Sequence, residues 1–150
     1  MIAVVERVKR ASLIADGTPF SSIDNGLLVF LGINEQDTKE TAELLATKII
    51  NLRIFCDEND KMNLSVKDLN LEIMAVSNFT LCADTKKGNR PSFINAMEPI
   101  KAKELYEYFC ETLKLQVKTK TGVFKADMQI ENVCDGPVTI TLNTDIWMKK

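Results

Sequence analysis

Histidine is absent from the 150-residue chain. Its absence excludes Ser-His-Asp and Cys-His catalysis, the His-Glu-x-x-His metalloproteases and any histidine-ligated metal. Chemistry near neutral pH therefore falls to hydroxyls, amides, carboxylates, lysines, main-chain groups or a substrate's own atoms. Cysteine is sparse too: Cys56, Cys82, Cys110 and Cys134 are widely spaced and form no Cys-x-x-Cys pair. They are expected to be reduced and mostly buried thiols, with no metal site and no cofactor implied. No apolar run approaches the roughly 20 residues that span a bilayer. Met1 leads straight into strand-like sequence without the basic and apolar regions of a secretory leader, so a cytoplasmic location and no membrane partner are expected. Nor is there a basic excess: the formal net charge is −2, unlike a protein that coats nucleic acid by neutralising many phosphates.

What is present reads as one globular domain over residues 1–150, with 45% apolar and 27% charged residues. Ile2 to Ala15 alternates like a strand. Within it Arg7 has apolar neighbours, and its residue type alone fits an edge-facing arginine. Asp16-Gly17-Thr18-Pro19 is a turn, and the Asn-Gly pair of Asp24-Asn25-Gly26 predicts a hairpin. Leu27 to Ile33 is continuously apolar and predicts a strand buried on both faces. Asp37, with Glu40 three residues on, fits a helix N-cap ahead of Ala42, Leu45, Ala46, Ile49 and Leu52 at helical spacing. Phe55 to Asn70 reads as a polar loop; its acids lack the full calcium-loop spacing. Pro99 opens a second helix with the stripe Ala102, Leu105, Tyr106, Phe109 and Leu113. The last third alternates twice, Phe124 to Glu131 and Val138 to Asn143, and residue type alone makes the intervening Cys134-Asp135-Gly136-Pro137 a hairpin turn. The fold class is α+β: a mainly antiparallel sheet, open to closing into a barrel, covered by two principal helices.

The richest stretch chemically is Glu72 to Phe93. Ile73 to Val76 reads as a buried strand that ends in the small polar groups of Ser77, Asn78 and Thr80, a rigid base from which to aim chemistry. A turn follows, with Lys86, Lys87, Asn89 and Arg90 around Gly88 and Pro91, cations suited to phosphate oxygens. A second basic segment, Lys114, Lys118, Lys120 and Lys125, contains no acid; a solvated face accounts for it as well as a ligand does.

SNFTL at Ser77–Leu81, the Ala83–Phe93 segment ending in KGNRPSF, TGVFKADMQI at Thr121–Ile130 and DGPVT at Asp135–Thr139, taken with IAVVERVKRAS at the start, resemble the D-aminoacyl-tRNA deacylases. The resemblance runs from Met1 to about Thr141. It implies hydrolysis of the ester between a D-amino acid and the 3′-terminal ribose of tRNA, a proofreading reaction on the acceptor end. It also implies that main-chain groups around Ser77, Asn78, Phe79 and Thr80 and the ribose 2′-hydroxyl do the chemistry, the N–H groups near Phe79 and Thr80 holding the carbonyl oxygen. In the family a cis Gly-Pro, here Gly136-Pro137, enters the neighbouring subunit's pocket and turns away L side chains, which implies a homodimer. Glycine, having no side chain, would escape that filter in part. The resemblance gives Arg7 the task of supporting the Gly-Pro segment, and Lys86, Lys87, Asn89, Arg90 and Phe93 that of holding the terminal adenosine and nearby phosphates. The chain departs from the family where glutamine usually stands at Asn78 and asparagine at Cys134.

Two other readings follow from the residues alone. Thr80 is the nucleophile a small-ester hydrolase would use, although no base is adjacent to it in sequence. A module that binds acceptor ends without turnover would need the same basic loop.

Overall fold

The computed structural model describes residues 1–148. The strand β1 (Ile2–Ala15) organises the sheet. One edge pairs antiparallel with β3 (Gly26–Gly32) over its first half and with β2 (Thr18–Ile23) over its second half; the other edge pairs antiparallel with β8 (Met128–Asn143) along nearly its whole length. Beyond β3 the sheet continues in parallel through β6 (Glu72–Ser77) and β7 (Lys118–Thr121). The Ser21 hydroxyl donates to the Thr121 carbonyl at 3.0 Å, which ties β2 to β7 and nearly closes the sheet into a barrel.

Continuous apolar strands arise because the sheet serves two cores. Leu27, Val29, Leu31, Ile73 and Ala75 point to one side, under the helices. Leu28, Met74 and Val76 point to the other, where they meet Val8, Ala11 and Leu13 inside the curl. Strict alternation cannot do both along β1: Ala3 and Val5 belong to the first core, and the register slips around Val8 so that Ala11 and Leu13 belong to the second. The first core is roofed by α1 (Lys39–Ile50), which buries Ala42, Leu45, Ala46 and Ile49, and by α2 (Pro99–Lys114), which buries the predicted stripe. The Tyr106 hydroxyl donates to the Ala75 carbonyl at 2.9 Å, fastening α2 to the central strand. A short α3 (Thr144–Met148) follows β8, with Trp147 packed against the first core.

The α+β class, the barrel-like sheet and the two covering helices are as the sequence predicts. Five local expectations are not, the first being mostly buried thiols, since Cys56 and Cys134 are exposed. The hairpin lies at Asp16-Gly17, where φ is +48° and +78°, and not at Asn25-Gly26; β2 and β3 lie end to end along one edge of β1. Gly26 is needed instead for close approach, since a Cβ there would lie 2.0 Å from the Glu72 carbonyl oxygen. Thr38 rather than Asp37 is the N-cap of α1, its N–H donating to Thr41 Oγ1 at 2.9 Å, while Asp37 is buried, paired with the Met1 amino group and accepting the Asn34 N–H. Phe55–Asn70 contains a small hairpin, β4 (Phe55–Cys56) and β5 (Met62–Leu64), closed by Asp57 accepting the Asn59 and Lys61 N–H groups. Finally, Cys134–Pro137 is not a turn. It is an irregular stretch inside the single strand β8, which starts only at Met128, after a non-strand segment in which Lys125 has φ +67°. A helix long and apolar enough to cross a membrane is absent among the described residues.

Candidate active site

Where β6 ends, its last residue Ser77 pairs with Leu31 of β3, and the Asn78 N–H donates to the Leu31 carbonyl at 2.8 Å. The chain then tightens into a 3-10 turn, η1 (Phe79–Cys82), capped by Asn78. The Asn78 side-chain oxygen accepts the Thr80 hydroxyl at 2.5 Å and, at a longer 3.3 Å, the Thr80 N–H. The Leu81 and Ala83 N–H groups turn back onto the Asn78 and Thr80 carbonyls; the Phe79 N–H takes part in none of these bonds. A helix start leaves such donors unpaired by construction.

These residues form one wall of an open pocket of about 800 Å³. Phe30 and Val76 floor it, Met97 just before α2 and Ala102 in its first turn line it, and Phe124 to Met128 with Ile130 close the far side. Phe79 and Phe93 meet edge to face across its mouth, ring centroids 5.1 Å apart. The floor is the exposed end of the second core, so an apolar group entering the pocket meets apolar surface. The charged groups of the lining are Glu98, Lys125 and Asp127. Glu98 is engaged as the cap of α2, accepting the Ile100 and Lys101 N–H groups.

The Thr80 hydroxyl gives its proton to an amide oxygen, which is no base. Cys82, Cys110 and Cys134 supply no activated thiolate either. Burial raises the Cys82 thiol and pushes the Cys110 thiol up to about 12, and burial followed by the nearby Glu6 carboxylate raises Cys134. What the pocket offers is main-chain donors, hydroxyls and a shaped apolar floor.

Of the residues singled out in the sequence, Ser77, Asn78, Phe79, Thr80 and Phe93 come together in this pocket. Gly136 and Pro137 do not line it; they are exposed on β8, their peptide bond is cis, and Gly136 has φ +127°. A Cβ on Gly136 would sit 2.9 Å from Val138 Cγ2 and 3.1 Å from an Arg7 guanidinium nitrogen. Arg7 is buried: its Nε donates to the Asp135 carbonyl at 3.1 Å and lies 3.2 Å from the Asp135 carboxylate, and Nη1 donates to the Ile54 carbonyl at 2.7 Å. Exposed Lys9 reaches the same carboxylate at 3.3 Å. Arg7 thus grips the residue before Gly136 from within.

Lys86, Lys87, Asn89 and Arg90 are outside the pocket lining, on an exposed loop pinned by the Asp84–Ser92 bridge. The second basic segment is split: Lys125 lines the pocket, while Lys114 and Lys120 line a smaller groove. Sequence reasoning left Lys125 and Asp127 out of the pocket. Their signal was the motif TGVFKADMQI, whose apolar positions Phe124, Ala126, Met128 and Ile130 were legible as one face.

The family described as D-Tyr-tRNA(Tyr) deacylase matches residues 4–143. A D-aminoacyl-tRNA deacylase from Caldicellulosiruptor saccharolyticus is 52% identical over 145 residues, covering 96% of this chain and 97% of the relative. Another, from Thermodesulfovibrio yellowstonii, is 50% identical over 145 residues, with 96% and 99% covered. Among solved structures, a c-Myc DNA unwinding element binding protein superposes with a TM-score of 0.91 at 44% identity, covering 95% of this chain and 98% of that one. A probable eukaryotic D-amino acid tRNA deacylase superposes with a TM-score of 0.82 over 94% of this chain and 97% of that one; at 13% identity this is a likeness of fold.

Proposed function

Because the chain belongs to the D-aminoacyl-tRNA deacylases, hydrolases acting on aminoacyl-tRNA, we propose that it selects D-aminoacyl esters, and in part glycyl esters, by rejection at a two-fold homodimer interface. The observation that carries this reading is a separation. The pocket holds the Ser77–Thr80 segment, whereas Gly136 and Pro137 are exposed elsewhere on the same subunit and are braced from inside by Arg7. Braced, outward-facing backbone is suited to enter a second copy's pocket. Carbonyl oxygens held there would meet an L side chain at van der Waals distance and leave a D side chain free, a filter that works by exclusion and tolerates many side chains.

In the reaction the aminoacyl group lies on the apolar floor, and the 3′-terminal adenosine meets Phe79 and Phe93 at the mouth. The Phe79 N–H, free of any bond within the turn, donates to the carbonyl oxygen as negative charge develops there. Asn78 holds the Thr80 N–H at 3.3 Å, a bond long enough to yield to an oxyanion. Glu98 is held as the α2 cap, and the vicinal ribose 2′-hydroxyl, rather than the exposed Asp127 carboxylate, assists the attacking water from the substrate side. Ser77 shapes the floor; Lys86, Lys87, Asn89 and Arg90 receive phosphates beyond the mouth. The enzyme acts in the cytoplasm, where its substrates are made.

D-tyrosyl-tRNA ending in 2′-deoxyadenosine, with the ester on the 3′-oxygen, tests the mechanism. Cleavage should slow at least about a hundredfold against the ribose substrate, as for loss of a group acting in the transition state. Equal rates would remove the 2′-hydroxyl from the reaction.

A further inference from the structure

The nearly closed barrel leaves a seam between β2 and β7, each paired on its other edge only. The seam is pinned by the Ser21–Thr121 hydrogen bond and holds a groove of about 410 Å³. Lys114, Lys120, Ser22, Thr119 and Thr121 line it, with Phe20 at its side, half of that ring's surface facing water. Hydroxyls and ammonium groups along unpaired strand edges make a surface for anionic oxygens. Among the described residues Lys120 has no acid within ion-pair distance. Lys114 is paired with Glu111 at 2.8 Å, but both side chains are well exposed, and such a pair yields readily to a phosphate. Lys118 stands opposite Glu72 in the β6–β7 register and is not needed.

The groove lies close to the pocket. Thr121 pairs with Ala75 across β6–β7, and Ser77 lies two residues further along β6, roughly 8 Å away at ordinary strand spacings. Three residues after Thr121 the chain reaches Phe124, which lines the pocket. A polyanion whose end occupies the pocket and whose backbone follows this side of the barrel would lie over the seam.

We infer that this groove is a phosphate-binding track for the acceptor stem of the tRNA, with Lys114 and Lys120 as its cations and the Ser22 and Thr121 hydroxyls as supporting donors; the Thr119 hydroxyl is already given to the Val117 carbonyl at 2.9 Å. This rests on the chain being an aminoacyl-tRNA hydrolase. The track supplies affinity for the stem and takes no part in the chemistry, so its effect depends on substrate length.

The test compares wild type with the double variant Lys114→Gln, Lys120→Gln on two substrates: D-tyrosyl-tRNA and the D-tyrosyl ester of adenosine, which has no stem. With tRNA, KM should rise roughly tenfold and the slope of log KM against log salt should fall by about two, one per phosphate contact, with kcat unchanged. With D-tyrosyl-adenosine, both constants should stay at the wild-type values. An unchanged KM and salt slope on tRNA, in an enzyme that cleaves both substrates, overturns the track alone. An equal rise on both substrates also overturns it, because the lysines would then act on the pocket. A wild type that cleaves neither substrate overturns the deacylase reading and the track with it. Equal melting temperatures of the two proteins confirm that exposed charge, not folding, was changed.

Discussion

Replacing Gly136 with alanine separates two effects that the structure makes distinct. The first is local strain. Gly136 has φ +127°, a region that L side chains rarely enter, and its new Cβ would lie 2.9 Å from Val138 Cγ2 and 3.1 Å from the Arg7 guanidinium. Backbone in such a region costs about 1–3 kcal/mol, and moving a buried, hydrogen-bonded arginine holds the value near the upper end. For a chain of this size that corresponds to a melting temperature lower by roughly 5–10 °C. The second effect is displacement of the segment proposed to enter the partner's pocket, and a shift of about 1 Å at such a site can cost on the order of a hundredfold in rate. Gly17→Ala is the control: φ is +78°, nothing lies within 4 Å of the added Cβ, and the site is the β1–β2 hairpin. It should lose about 1 kcal/mol of stability and no activity. Thermal melting and deacylation of D-tyrosyl-tRNA, both on folded protein, read the two effects. If Gly136→Ala melts early yet keeps kcat/KM within about twofold of wild type, the dipeptide has no place in the site.

Thr80→Ala should keep kcat within about tenfold of wild type, because the Thr80 hydroxyl is committed to an amide oxygen; a loss near the 10⁴-fold typical of a missing nucleophile would make Thr80 the attacking group after all. Arg7→Ala leaves the Ile54 and Asp135 carbonyls without their donor and should lower stability by on the order of 3 kcal/mol; unfolding in urea that matches wild type would mean the grip on β8 is unimportant. The Asp68 carboxyl is held below the usual carboxylate range, first by the Ser65 N–H and then by the Ser65 hydroxyl, both at 2.8 Å. Its stabilising effect is complete above the ordinary carboxylate value of about 4 and is lost as pH falls through the lowered value. Asp68→Asn should therefore flatten the acid limb of the stability profile, and an unaltered limb would assign that limb to other groups.

Legibility in the sequence followed physical locality. Helical stripes such as Ala102, Leu105, Tyr106, Phe109 and Leu113 were readable because each residue reports one face of one element. The apolar run of β3 was readable as doubly buried, although not that its two faces feed separate cores. Pairings were illegible where a turn signal competed with long-range register: Asn25-Gly26 favours a hairpin locally, yet β2 and β3 both pair with β1. Cys134–Pro137 carries every mark of a turn, but β1 continues beside it on both sides and draws it into one strand. Asp37 was readable as a cap by spacing; the buried amino group of Met1, distant in sequence, claims it instead. In the pocket, Ser77–Thr80 could be placed because a strand end aims them, whereas Lys125 and Asp127 reach the lining through an irregular segment with no period to read.

Carbonyl oxygens at Gly136-Pro137 are proposed to tell mirror-image substrates apart, and deacylation of D-tyrosyl-tRNA and L-tyrosyl-tRNA under identical conditions puts this to the proof. Rapid release of D-tyrosine is expected, with L-tyrosyl-tRNA hydrolysed no faster than in buffer; equal release from both substrates would rule such a filter out.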